Sequence, residues 1–263
     1  MWRVAYEDRA REAPAWAAEH GVGPASEDTV RIALLAVDVQ NTFCIPGFEL
    51  YVGGRSGTGA VDDSRRLAEF LYRNLGAITQ VFPSLDTHHA MQIFHAIWLV
   101  DAGGAHPDPY TLVSPEDVAA GQWQVNPAVA DEVGIGLDYA QRHLIHYTRA
   151  LARSGKYDLT VWPYHAMLGG IGHALVSAVE EAVFFHGIAR SSRPDFQVKG
   201  DHSLTELGVE TFGLFAQETE CFRVAGRCLH RMVGRIGPSE ADIVGGAGAE
   251  DHRFLWHQRQ RAA

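Results

Sequence analysis

Residues 32–39 read IALLAVDV, a continuous apolar run broken only by Asp38 near its end. A strand with one wet face alternates apolar and polar residues. A run that is apolar throughout is buried on both faces, as in a parallel sheet covered by helices. The segments that follow meet that requirement. Val61 to Leu75 has helical spacing, with Leu67, Phe70 and Leu71 on the apolar stripe and Asp62 or Asp63 near the cap. A second strand-like run starts at Ala77 and ends at Asp86. Strand, helix and strand in that order predict a parallel sheet with right-handed crossovers, hence an α/β chain.

The rest of the chain continues the alternation. A helix is expected over Val4 to His20, on an N-terminal extension covering residues 1–30. Later come a helix from Tyr139 to Arg153, a strand from Tyr157 to Trp162, a Gly169-Gly170-Ile171-Gly172 turn and a helix from His173 to His186. That helix turns Leu175, Val179, Ala182 and Val183 inward. A short strand from Phe196 ends at Lys199-Gly200, a helix is expected over Cys228 to Ile236, and a last strand over Ala241 to Gly246. Residues 89–130 read as an insertion in a domain spanning 31–263. Its part from His89 to Gln124, with Pro107, Pro109 and Pro115, reads as irregular and of the length that serves as a lid or binding loop.

Composition narrows the function classes. The chain has 263 residues and a formal net charge of -10, which argues against a nucleic-acid binder. No apolar run approaches the length of a membrane helix, and the N-terminus lacks a signal-type apolar core. The cysteines are Cys44, Cys221 and Cys228, an odd number without scaffold spacing, which predicts a reducing, cytoplasmic setting.

In parallel sheets, sites form outside the carboxyl ends of the strands. Asp38, Asp86, His88, His165 and Lys199 all fall at such ends. Asp86 and His88, two apart on an extended chain, share one side. A carboxylate and an imidazole so placed are two ligands of a metal site, and His165 is the candidate third. The competing reading is an Asp that caps the next helix beside ordinary loop histidines. Asp38 is a candidate general base with Lys199 as its charge partner, or one half of a structural ion pair. His95 and His106 read as outer groups or solvated loop residues. The glycine turn reads as a tight turn or a phosphate cradle.

These residues resemble the isochorismatase-like cysteine hydrolases, and nicotinamidases in particular. Val37-Asp38-Val39-Gln40-Asn41-Thr42-Phe43 is similar to the family's DVQNDF opening, Asp86-x-His88 to its metal pair, and Trp162-Pro163-Tyr164-His165 to its WPxH segment. Val198-Lys199-Gly200 is similar to the catalytic-lysine segment. The resemblance implies a three-layer, doubly wound, Rossmann-like fold, usually oligomeric. It implies an Asp–Lys–Cys triad beside a divalent metal, Zn2+ or else Fe2+ or Mn2+. The substrate class is a small amide such as nicotinamide, split into acid and ammonia. Asp38 and Lys199 take the catalytic roles, Asp86, His88 and His165 hold the metal, and Phe43, His95 and Trp162 line the substrate.

The chain departs from the family at one position of consequence. The segment matching the nucleophile's surroundings, Gly245 to Phe254, carries Arg253 where the family has its cysteine. The polar tail after Trp256 does not read as the family's final helix and strand. An impaired amidohydrolase with a truncated C-terminus is therefore expected. The alternatives are a metal-binding pseudoenzyme and a hydrolase that uses a metal hydroxide.

Overall fold

The computed structural model describes residues 3–154, 158–205, 241–246 and 255–257. In chain order the elements begin with α1 (Tyr6–Glu19), β1 (Arg31–Ala36), α2 (Asn41–Cys44), α3 (Gly59–Arg73) and β2 (Gln80–Asp86). Then come β3 (Leu99–Val100), β4 (Leu112–Val113), α4 (Pro115–Ala119), β5 (Gln124–Val125), α5 (Pro127–Glu132), α6 (Leu137–Ser154) and β6 (Leu159–Thr160). The last are α7 (Ser177–Ala189), β7 (Gln197–Lys199), β8 (Ala241–Gly246) and β9 (Leu255–His257). They divide between two compact units. Among the described residues, one holds 3–86, 169–199, 241–246 and 255–257, the other 87–154, 158–168 and 200–205. The Cys228–Ile236 helix, Cys221, Arg253 and the expected loss of a final helix and strand lie outside the described residues.

The first unit carries a five-stranded sheet in the order β7-β2-β1-β8-β9, parallel except for β9. This is the expected α/β class with a mostly parallel sheet. β1 lies between β2 and β8, and Ala33, Leu34 and Ala36 are buried, which is why its sequence is apolar without alternation. α3 buries Ala60, Ser64, Leu67 and Leu71, one helical stripe. Phe70, expected on that stripe, is 36% exposed. It lies about a quarter-turn from the stripe's centre on a helix of ~100° per residue. α7 packs into the same core through Val179, Ala182 and Val183. α1 docks on α7, with the Trp16 ring edge-on to Phe185 at 6.0 Å and Ala13 and Ala17 buried beneath.

α7 begins later than the sequence predicts. Leu175 bridges Gln40, and Val176 N donates to Val39 O at 2.9 Å, so the chain stays extended until Ser177. The competition between a local helix and a non-local backbone bond is settled here in favour of the bond.

The second unit has its own apolar core, built around Phe94, Trp98, Val113, Leu144 and Leu159. The stretch expected to be irregular is instead a run of short, locally specified elements. Ser114 and Asp117 form a capping box with Pro115 in the first turn of α4, and Asn126 caps α5 ahead of Pro127. β3 pairs antiparallel with β5, and β4 with β6. The strand expected over Tyr157–Trp162 is therefore corrected. Among the described residues it is only Leu159–Thr160, and it joins a two-stranded antiparallel ladder, not the parallel sheet. Two-residue strands are too short to carry a periodic signal. Among the described residues, no helix is long and apolar enough to cross a membrane.

Candidate active site and metal centre

In the first unit, parallel pairing of β2 and β7 sets Asp86 opposite Lys199. Lys199 Nζ lies 2.7 Å from Asp86 Oδ1 and 3.0 Å from Asp38 Oδ2. Asp38 sits two residues beyond β1 with φ +50, the left-handed region that Asp tolerates better than most side chains. Ser84 holds it there: Asp38 N donates to Ser84 Oγ at 3.0 Å, and Ser84 Oγ donates to Asp38 Oδ1 at 2.7 Å.

All three charged side chains are nearly buried, and two carboxylates share one ammonium. Burial pushes the Asp38 carboxyl above its ordinary value; Lys199 opposes this and Asp86 adds to it. Burial alone would lower the pKa of Lys199, but Asp38 and Asp86 outweigh it and move the lysine up. The arrangement is a fixed cation beside a carboxyl whose proton affinity is enhanced, as a general base requires.

Gln40, buried, makes the strand end rigid. Its Oε1 accepts from Asp86 N at 2.8 Å, while its Nε2 donates to Asp86 O at 2.8 Å and to His173 O at 2.9 Å. Both backbone groups of Asp86 are thus held by one side chain. Sequence reasoning did not assign this role to Gln40, nor a role to Ser84. A polar residue inside an otherwise apolar strand was the available signal for Ser84.

Asp86 ends β2, and Thr87 and His88 continue the chain. In the second unit His88 and His165 are buried, their rings 4.6 Å apart. His88 Nδ1 lies 3.1 Å from Gly200 O, and His165 Nδ1 lies 2.7 Å from Pro163 O. A carbonyl can only accept, so each Nδ1 carries the proton and each Nε2 the lone pair. Fixing the ligand tautomer through the other ring nitrogen is the usual support for a metal-bound histidine. His88 and His165 each offer a ring nitrogen, Asp86 offers a carboxylate two residues before His88 in the chain, and all three are buried. A carboxylate with two neutral imidazoles suits a divalent ion of the zinc, iron or manganese kind. The residues fit the group.

His95, fully buried, stands beside this pair, its ring 6.0 Å from His88 and 6.4 Å from His165. Its Nδ1 is 3.2 Å from Ala90 O, and its Nε2 is buried without a hydrogen-bond partner among the described residues. Burial, with His88 and His165 adding to it, lowers its pKa to about 4, so the ring is neutral. His95 is thus no solvated loop residue. Tyr164 covers it, with ring centroids 4.6 Å apart.

The other candidates are placed as follows. Trp162 lies in the second unit, its ring 6.5 Å from His165. Phe43, on α2, packs half-buried against the core of the first unit. His106 Nδ1 bonds Leu99 O at 2.6 Å within its loop. The glycine turn acts as a tight turn that receives α2: Gly172 O accepts from Thr42 N, and Ile171 O from Asn41 Nδ2. Cys44 is buried and its thiol is pushed up by burial, the opposite of an activated nucleophile.

No family model and no curated protein matches the sequence. Among solved structures the chain is similar to a nicotinamidase/pyrazinamidase of Acinetobacter baumanii, at 18% identity over 67% of this chain and a TM-score of 0.35. It spans 55% of that protein's length. It is also similar to the yeast nicotinamidase Pnc1p, at 15% identity over 82% of this chain and 75% of that one, with a TM-score of 0.44. The same yeast enzyme bound to the inhibitor nicotinaldehyde gives 14% identity, the same coverage of both chains and a TM-score of 0.43.

Proposed function

We propose that this chain has the site of a small-amide hydrolase of the nicotinamidase kind, which converts an aromatic amide such as nicotinamide to its acid and ammonia, and that turnover is impaired because Arg253 stands where the resemblance places the nucleophile. The observation that carries the reading is the buried Asp38–Lys199–Asp86 arrangement, in which one ammonium serves two carboxylates. Asp38 takes the proton of the attacking group, because burial has raised its affinity for one. Lys199 stays protonated and balances the charge that the proton transfer redistributes. Ser84 and Gln40 keep both carboxylates aimed. Asp86, His88 and His165 would hold a divalent ion, which when bound supplies Lewis-acid polarisation and a contact for a ring nitrogen. His95 stays neutral, and with Trp162 and Phe43 belongs to the substrate surface in this reading. A cytoplasmic setting follows from the cysteine usage, and self-association from the family resemblance; both are parts of the proposal.

A second reading is a chain that binds such an amide without cleaving it. Arg253, at the position where the resemblance places the nucleophile, favours it: a guanidinium cannot attack a carbonyl.

Ammonia release from nicotinamide separates the two. The metal-loaded chain is assayed beside Arg253→Cys, and Asp38→Asn is tested in the Arg253→Cys background. Turnover restored by the cysteine and lost again with the asparagine supports the hydrolase. Nicotinamide that binds both proteins without turnover supports the second reading, and nicotinamide that binds neither overturns both.

A further inference from the structure

The pairing of β4 with β6 has a register: Leu112 faces Thr160 and Val113 faces Leu159. Past Thr111 that register breaks, because Tyr110 and Thr111 both face Val161 in a bulge. Tyr110 N donates to Val161 O and Val161 N donates to Thr111 O, the bonds of a bulge whose first residue is left-handed, and the bulge brings the Tyr110 ring to that of Trp162. The rings meet edge to face, with centroids 6.1 Å apart. Trp162 in turn stands beside His165. Tyr110, from the long segment between His89 and Gln124, thereby stands one ring beyond Trp162 from His165.

Two features set Tyr110 apart. Its φ is +69, a left-handed conformation that a bulky aromatic rarely adopts and that glycine would take without strain. The residue is nonetheless 57% exposed, so core packing does not explain why a tyrosine occupies the position. The loop around it is ordered by its own bonds. Asp101 Oδ1 accepts from Gly103 N and Ala105 N, and Asp108 O accepts from Thr111 N and Thr111 Oγ1. A strained, exposed aromatic held on a braced turn and aimed at another aromatic is arranged to meet a ligand.

We infer that Tyr110 is a specificity-determining residue that extends the aromatic wall begun by Trp162 and selects flat aromatic amides over aliphatic ones. The inference rests on the amide-hydrolase reading. It concerns a residue that acts by contact with the substrate ring and takes no part in proton transfer.

The test is calorimetric binding of nicotinamide and of propionamide to the metal-loaded chain and to Tyr110→Gly, Tyr110→Ala and Tyr110→Phe, with thermal melts of each. An exposed aromatic contact of this kind predicts a loss of about two- to tenfold in nicotinamide affinity for the Gly and Ala variants. Propionamide binding stays unchanged and Tyr110→Phe binds like the parent. Tyr110→Gly relieves the left-handed strain, so it melts no lower than the parent, which a merely structural tyrosine would not allow. Parent and Gly variant binding nicotinamide equally would overturn the inference while leaving the amide-hydrolase reading intact. A parent that binds neither amide removes that reading, and this inference with it.

Discussion

Asp86 and Lys199 face each other in register across β2 and β7, and the lysine ammonium that meets Asp86 at 2.7 Å also meets Asp38 at 3.0 Å. A single cation at the carboxyl edge of the sheet thus links the residue assigned to proton transfer with a residue assigned to the metal.

Removing that cation leaves two buried carboxylates without the ammonium they share. Lys199→Met is expected to lower unfolding free energy by about 3–5 kcal/mol, the cost of stranding a buried charge. Asp38→Asn keeps the Lys199–Asp86 bond and should cost less, about 1–3 kcal/mol. Urea titrations of the two variants check the order; Asp38→Asn as the more damaging change would contradict the shared-cation arrangement.

Metal content should follow the His88–His165 pair. After loading and dialysis, His88→Ala and His165→Ala are each expected to retain far less than one ion per chain by elemental analysis, whereas His106→Ala retains it. Gln40→Leu leaves every ligand in place but frees the backbone of Asp86, and metal affinity should fall by roughly 10- to 100-fold, as for other groups that orient ligands. A loaded parent should also gain about 2.7 kcal/mol at a metal concentration a hundred times the dissociation constant.

His186 gives the first unit an acid-sensitive element. It is buried, its Nε2 donates to Ile78 O at 2.8 Å, and burial lowers its pKa, with Arg190 adding to the shift and Asp28 opposing it. The folded state therefore resists a proton that the unfolded chain accepts near pH 6.5. Stability contributed by neutral His186 is fully present above that pH and is lost as pH falls toward the lowered folded pKa. His186→Gln, which keeps a donor for Ile78, should flatten this part of the stability profile between pH 7 and 5. A difference between parent and variant that does not change over that range would refute the assignment.

Arg190 closes α7 onto the segment before β1. It is 2% exposed, pairs with Asp28 Oδ1 at 2.5 Å and donates to Gly23 O, while Asp28 Oδ2 accepts from Thr79 Oγ1 at 2.6 Å. Asp28→Ala leaves the buried guanidinium with carbonyl partners and no counter-charge, and is expected to cost about 3–5 kcal/mol. The exposed Asp8–Arg11 pair on α1 provides the contrast: Asp8→Ala should change stability by no more than about 0.5 kcal/mol. Thermal melts of both variants test whether the N-terminal segment is held by the buried pair.

Much of the first unit was legible before any coordinates. β1, α3 and β2 each carry their period in contiguous residues, and Asp38, Asp86 and Lys199 could be assigned to one edge because parallel strands bring their carboxyl ends together. In the second unit the helix over Tyr139 to Arg153 is legible, but the stretch from His89 to Gln124 reads as irregular because its strands are two residues long, too short to show a period. His165 was assigned to a strand end of the main sheet for the same reason: β6 was mistaken for a longer strand.

What the sequence by itself determined, then, is the α/β class and the types of group available at the sheet's carboxyl edge, since both follow from local pattern and from the sidedness of parallel strands. Tertiary structure alone decided that Lys199 serves two carboxylates, that Gln40 holds both backbone groups of Asp86, that His95 is buried and neutral, and that the Tyr110 ring meets that of Trp162. Each depends on strand register or on hydrogen bonds between residues distant in the chain, and neither is encoded in any short run of residues.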